Sequence, residues 1–272
     1  MRTLLVNADD FGFTRDVNAG IVQAHREGIL TATTLMAGGA AFEDAVRLAS
    51  ENPELDIGVH LQMVQGESLS MPGRALPGSV GVLIRALLAG EWDVVKELEA
   101  QVEKVLAAGI RPTHLDTHKH THLLPVVLDA VARVSGKYGI RWVRKPFDLP
   151  LDGKSASWKT RGAAVVMRQL RGRFDRVLAR HGASTTDHFA GFVWTGNYDA
   201  ADLVNLIRNL PGGSTEFMCH PGIFGDELRV AQTRLKESRE RELRALTDAR
   251  VLEALRETDV VLTNYRRLDR QR

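Results

Sequence analysis

The sequence predicts an α/β fold: an irregular (β/α) barrel of seven or eight parallel strands, in a single domain over residues 1–272. Three observations predict it. Short β-rich runs alternate with helical patterns from end to end, which implies a parallel sheet with helices outside it. Eight runs qualify as strands. The length of 272 residues is close to the roughly 250 that a barrel of this kind needs. An open doubly wound sheet is the alternative architecture. No repeat of fixed period and no low-complexity segment divides the chain.

Taken in order, "TLLVNA" (3–8) is the first strand, and Thr14 can cap a helix starting at Arg15. Asp16 then meets the positive end of that helix. "TATTLM" (31–36) is the second strand, and apolar residues at 42, 45, 46 and 49 give a helix over 42–50. "LDIGVHL" (55–61) is the third strand. The Gly/Pro/Ser-rich stretch 63–81 follows it as a loop, of the kind that often lies beside a site. Apolar positions 94, 95, 98, 102, 105 and 106 predict a helix over 94–107. "PTHLDT" (112–117) and a helix over 123–134 come next, then strands "IRWVRK" (140–145), "FAGFVW" (189–194) and "STEFMC" (214–219). A helix over 243–255 and the strand "DVVLTN" (259–264) close the pattern.

Composition narrows the classes. Apolar residues make up 44% and charged residues 26%, as in ordinary soluble enzymes, so a core can form without staples. Cys219 is the only cysteine, which excludes an intramolecular disulfide and fits a reducing compartment. A net charge of +2 gives no footprint for nucleic acid, and none is expected as a partner. The N-terminus turns acidic after six residues and lacks a signal-peptide pattern. No apolar run approaches the roughly 18 residues of a membrane span. The expected location is cytoplasmic, with membrane association left open by one segment. Residues 154–180 carry eight basic residues and one acidic residue, Asp175, with apolar residues between them. A solvated helix face is the plainer reading, and peripheral membrane contact, a homodimer contact or phosphate recognition are the alternatives.

Ligands of parallel α/β folds bind at the carboxyl ends of the strands. Asp9 and Asp10 end the first strand, His60 the third, Asp116 and His118 the fourth, Arg144 the fifth and His220 the seventh. Five strands thus deliver acid, base or ligand types to one mouth. Asp10, His60 and His118 form a set of two imidazoles and a carboxylate that suits Zn²⁺, Co²⁺, Ni²⁺ or Mn²⁺ and leaves a position open. Such an ion lowers the pKa of a bound water and polarises a carbonyl, and Asp9 is placed to take a proton. Both aspartates can serve one site only if the strand has ended there, because neighbours on a regular strand face opposite ways. His118, His120 and His122 would face one way on an extended chain. Steric room divides their roles into one ligand, one contact to substrate or ligand, and one stabiliser of the turn. His114 reads as structural. His220 can protonate a leaving amine, and Arg144 can orient Asp9, hold an anionic substrate group or form a salt bridge on the rim.

"VNADDFG", "GILTATTLM", "IGVHL", "THLDTHKHTH" and "EFMCHP" resemble the ChbG/HpnK (YdjC-like) carbohydrate deacetylases, in family order from residue 6 to residue 221. The resemblance implies a polysaccharide-deacetylase-like barrel holding one divalent metal ion, with Zn²⁺, Mg²⁺, Co²⁺ and Ni²⁺ as candidates. It assigns Asp10, His60 and His118 as its ligands, Asp9 as base, His220 as acid and Arg144 as the group steering the base. Contacts to substrate fall to His120, His122 and Asp116. The expected substrate is an N-acetylated sugar. "FAGFVWTGNYD" (189–199) is more similar to the hopanoid-associated HpnK branch, which implies a glycolipid. Two rival classes remain. A metal amidohydrolase would carry H-x-H where this chain has "DD", and a phosphoesterase would carry more basic groups. A non-catalytic sugar- or metal-binding module would close its metal with a fourth protein ligand.

Overall fold

The computed structural model describes residues 1–149 and 171–270. Strand β1 (Arg2–Phe11) is buried along nearly its whole length and lies at the centre of a parallel sheet. The order is β5–β4–β3–β2–β1–β7–β6, with β2 (Ala32–Leu35), β3 (Asp56–Leu61), β4 (His114–Thr117), β5 (Trp142–Val143), β6 (His188–Ala190) and β7 (Gly213–Cys219). One edge of β1 is taken by β7, from Arg2 to Ala8. The other is shared: β8 (Val260–Leu262) pairs with Arg2–Leu4, and β2 pairs from Asn7 onward. Single parallel bridges, Trp142 with Ser184 and Asp148 with Phe189, join the two ends of the path. The sheet therefore curls into an irregular barrel, as the βα alternation predicts.

Period-two alternation divides each strand between two environments. Leu4, Val6 and Ala8 pack outward into the main core with Val17, Ile21 and Ala24 of helix α1 (Arg15–Glu27). Leu5 points inward to a small plug of Ala32, Trp142, Tyr265 and Leu268. Above that plug the inward residues are polar: Asn7, His114, Asp116, Arg144 and Glu216 are all buried. Gly58 makes room for this layer, because a Cβ there would sit 2.6 Å from the His114 ring.

The predicted helices form, with changes at their ends. Thr14 caps α1, its hydroxyl accepting from the Val17 amide at 3.2 Å. Helices α2 (Phe42–Glu51) and α4 (Val94–Ala107) match their periodicity. Within the loop 63–81 the turn of Glu67 and Ala75 pairs antiparallel, and helix α3 (Val80–Leu88) begins at its end. Helix α5 is Pro125–Tyr138, where proline at the first turn sets a later start than the predicted 123. The predicted helix 243–255 is two helices. One, α9 (Glu237–Leu246), ends at Thr247, and α10 (Ala249–Glu257) restarts with Asp248 accepting from the Arg250 amide. Strand β6 stops at Ala190 rather than 194, because Gly191 turns the chain at φ +120. Helices α6 (Arg171–Arg180), α7 (Ala200–Arg208), α8 (Asp226–Val230) and α11 (Tyr265–Arg270) complete the described elements.

The basic segment 154–180 is described only from Arg171, and its earlier part lies outside the described residues. In α6, Phe174, Val177 and Leu178 are buried while Arg171, Arg173, Arg176 and Arg180 face outward, which is the solvated-face pattern. Among the described residues no helix is long and apolar enough to cross a membrane.

Candidate active site

Asp9 and Asp10 reach the same mouth through a distortion of β1. Pairing with β2 slips between Ala8 and Phe11, and Asp10 has φ +69. The strand continues to Phe11, so the expected end of the strand is replaced by a bulge that rotates one residue. A non-glycine residue in the left-handed region carries strain, and strain of this kind gathers at functional sites. The following turn is fixed by the Phe13 amide donating to Asp10 O and by the Gly12 amide donating to Asn18 Oδ1.

Asp10 Oδ1, His60 Nε2 and His118 Nδ1 form a nearly equilateral triangle. The separations are 3.4 Å (Asp10–His60), 3.3 Å (Asp10–His118) and 3.2 Å (His60–His118). Tetrahedral ligation at about 2.0–2.1 Å places donor atoms about 3.3–3.4 Å apart, so the triangle fits one small divalent ion. Asp10 Oδ1 is buried and has no hydrogen-bond partner, a cost that an ion at the centre would remove. Each imidazole is held from behind. His60 Nδ1 lies 2.7 Å from Asp116 Oδ1, which leaves Nε2 as the free lone pair, and Thr34 Oγ1 donates to Asp116 Oδ2 at 3.0 Å. His118 Nε2 lies 3.1 Å from Gln65 Oε1, on the predicted loop. No fourth protein donor joins this group among the described residues, so a position stays open.

Asp9 and His220 lie beside the triangle. Arg144 grips Asp9 with two parallel bonds of 2.7 Å, and its Nε donates to Glu216 Oε1 at 2.7 Å. Its guanidinium is fully buried, so of the three expected readings the orienting one describes it, and a rim bridge or a substrate contact does not. Burial alone would raise the Asp9 carboxyl, but Arg144 overrides it and holds it well below the usual range. Burial likewise opposes ionisation of Asp10, and Arg239 with the two imidazoles overcomes it. Burial would lower His60, yet Asp116 and then Asp9 push it up to about 10. An ion would replace that proton. His220 is lowered to about 4 by burial, and its Nε2 lies 3.8 Å from Asp9 Oδ2.

The histidine run is not extended. Residues His118–Leu123 form a 3₁₀ turn in which Lys119 and His120 have φ of +55 and +51, so the three imidazoles diverge. His120 lines the cavity and packs against Phe192. His122 is buried behind it, between Thr117 Oγ1 and the Arg144 carbonyl. Asp116 is likewise fully buried and occupied by His60, Thr34 and Arg144. Neither lines the cavity, contrary to the expectation of substrate contact. His114 is structural, with Nε2 2.9 Å from Asn7 Oδ1 and its ring stacked on Tyr265. The Cys219 thiol is buried and pushed well above its ordinary range, so it is a filler rather than a nucleophile.

Three site residues escaped the sequence reading. Arg239 on α9 donates from Nη2 to Asp10 Oδ2. Glu242, one turn on, accepts from the His220 and Gly196 amides and from the Tyr198 hydroxyl. Glu216 sits inside the barrel under Arg144. The predicted helix begins only at Leu243, and Arg239 and Glu242 lie in the turn before it, on the face that Leu243 and Leu246 bury; that i, i+3/i+4, i+7 spacing is the signal that could have found them. The cavity over these groups measures about 910 Å³, and Phe13, Phe192, Met218 and Leu235 supply its apolar wall.

The model of the YdjC-like protein family matches residues 3–257. A carbohydrate deacetylase of Geobacillus stearothermophilus is 32% identical over 271 residues, covering 97% of each chain. One of Thermoanaerobacter pseudethanolicus is 30% identical over 272 residues, covering 97% of this chain and 98% of its own. The crystal structure of a proposed cellobiose-phosphate cleavage protein from Enterococcus faecalis V583 superposes with a TM-score of 0.74 at 24% identity, over 98% of each chain.

Proposed function

The chain belongs to the YdjC-like protein family, and from that premise we propose that it is a metal-dependent carbohydrate N-deacetylase. The observation that carries this reading is the open triangle of Asp10, His60 and His118 with a second carboxylate, Asp9, adjoining it. Relatives at 30–32% identity over nearly the full chain carry the name carbohydrate deacetylase, which supports the reaction class.

Asp10, His60 and His118 would hold one divalent ion, Zn²⁺, Mg²⁺, Co²⁺ or Ni²⁺. When bound there, it supplies a Lewis acid that polarises the acetamide carbonyl and acidifies water. Asp9 accepts the proton of the water that attacks the carbonyl carbon. Arg144 fixes both Asp9 oxygens and keeps the carboxylate ionised beforehand. A carboxylate held that low is a weak base, so the proton passes on readily. His220 is neutral at ordinary pH, and with its Nε2 3.8 Å from Asp9 Oδ2 it receives the proton through one bridging water and delivers it to the nitrogen as the C–N bond breaks. Water and the amide thus become acetate and a free amine. Phe13 and Phe192 offer aromatic faces against which a sugar ring can pack, and His120 reaches the same space.

The substrate in this reading is an N-acetylglucosamine-type unit, in an oligosaccharide or a glycolipid. The likeness of residues 189–199 to the hopanoid-associated branch favours the glycolipid, and residues 192 and 195 of that stretch line the cavity. The test is acetate release from N-acetylglucosamine, N,N'-diacetylchitobiose and an N-acetylglucosaminyl polycyclic lipid. Release greatest from the lipid is expected, and equal release from diacetylchitobiose would remove the glycolipid assignment.

A further inference from the structure

Helix α9 turns one basic side chain into the barrel mouth, and the way it is tied down limits what Asp10 can do. Arg239 is 1% exposed. Its stem lies against Gly222, where a Cβ would meet the Arg239 side chain at 3.1 Å. The main chain is anchored there too, with the Gly222 amide donating to Arg239 O at 3.3 Å. Its Nε donates to Leu235 O at 3.3 Å, and its Nη2 donates to Asp10 Oδ2. The guanidinium therefore has little freedom to leave the carboxylate. Asp10 Oδ2 is occupied, while Oδ1 is buried, unpartnered and aimed at His60 and His118.

We propose that Arg239 is a positioning residue that confines Asp10 to one-oxygen ligation and so keeps the ion's remaining position open for water and substrate. This rests on the metal-dependent reading above. A carboxylate can bind a divalent ion through one oxygen or through both. Which mode it adopts depends on whether the second oxygen has another partner. A buried, charge-assisted bond from a fixed guanidinium is among the strongest partners available. Without it, Oδ2 would be a buried, unpaired acceptor next to a cation, and the least costly remedy is for it to bind the cation as well. The ion would then gain a protein ligand and lose its open position. Groups that orient metal ligands commonly affect affinity or activity 10–100-fold on removal, which sets the expected scale.

The test compares wild type, Arg239→Met and Arg239→Gln, each loaded with Co²⁺ alone and each checked by thermal unfolding. Cobalt reports ligand number through its visible d–d bands, which weaken as coordination rises. Wild type is expected to bind one Co²⁺ with intense low-coordination bands. Arg239→Met should bind one Co²⁺ with weaker bands and lose about 10–100-fold in kcat. Arg239→Gln keeps a neutral donor for Oδ2, and its bands should return toward wild type. Identical bands in wild type and both variants, or weak bands already in wild type, would overturn the role of Arg239 while leaving the metal reading intact. Failure of wild type to bind Co²⁺ would overturn both. If Arg239→Met does not fold, Arg239→Ala, which also leaves Oδ2 without its donor, is read in its place, and bands identical to wild type there overturn the role.

Discussion

At the scale of single residues, the neighbouring aspartates are held by different partners, and the proposed reading gives them different work. Asp9 has both oxygens on Arg144, and Asp10 has one on Arg239 and one free. The substitution Asp9→Asn should therefore leave bound metal at one ion per chain while lowering kcat by about 10²–10⁴, the range typical of a lost proton acceptor. Alanine at Asp10, His60 or His118 should instead lower metal content, measured by elemental analysis of the dialysed protein. Full turnover in Asp9→Asn would sink the assignment of the base. These residues were legible because the strand pattern puts all of them at carboxyl ends. His120 lines the cavity as expected, but His122 does not, since two left-handed residues break the regular spacing from which facing directions are read. Asp116 was legible as a site residue but not as the buried partner of His60, which depends on the register of β3 against β4.

At the scale of elements, α9 brings Arg239 and Glu242 inward from a run dominated by charge. A helix places residues three apart on one face, and here that face is the one turned to the site. Burial pushes Glu242 up to about 7, against amide bonds from His220 and Gly196 that pull it down. The unfolded carboxyl titrates near its ordinary 4.5. Between these values the folded protein holds a proton that the unfolded chain has released, so stability falls as pH rises from about 4.5 to 7. The full loss, on the order of 3 kcal/mol, persists above that window. Glu242→Gln removes the titration. Its Tm curve should be shifted overall, with wild type losing ground relative to it between pH 5 and 7.5. Asp148, raised to about 6 by burial, slopes the same way in both proteins and cancels in the comparison. Parallel curves would contradict the buried, protonated Glu242. The inward turn of α9 was missed because its first two inward residues are charged, so the apolar pattern starts only at Leu243, one turn after Arg239.

At the scale of the molecule, the barrel converts a linear scatter of polar residues into one mouth. Alternation of βα units, eight strand candidates and chain length sufficed for that architecture. The pairing of β8 and β2 along one edge of β1, and the bridges joining β5 to the β6 side, depend on long-range register that no local pattern carries. On the proposed reading, this mouth is a metal-dependent deacetylase site. The most direct measurement is acetate release from an N-acetylglucosaminyl substrate by the same preparation as purified, after chelation, and after resupply of Zn²⁺, Co²⁺, Ni²⁺ or Mg²⁺. Release that stops on chelation and returns with one stoichiometric ion is expected. Release that persists in metal-free protein, or none at all with the ion bound to Asp10, His60 and His118, would contradict it.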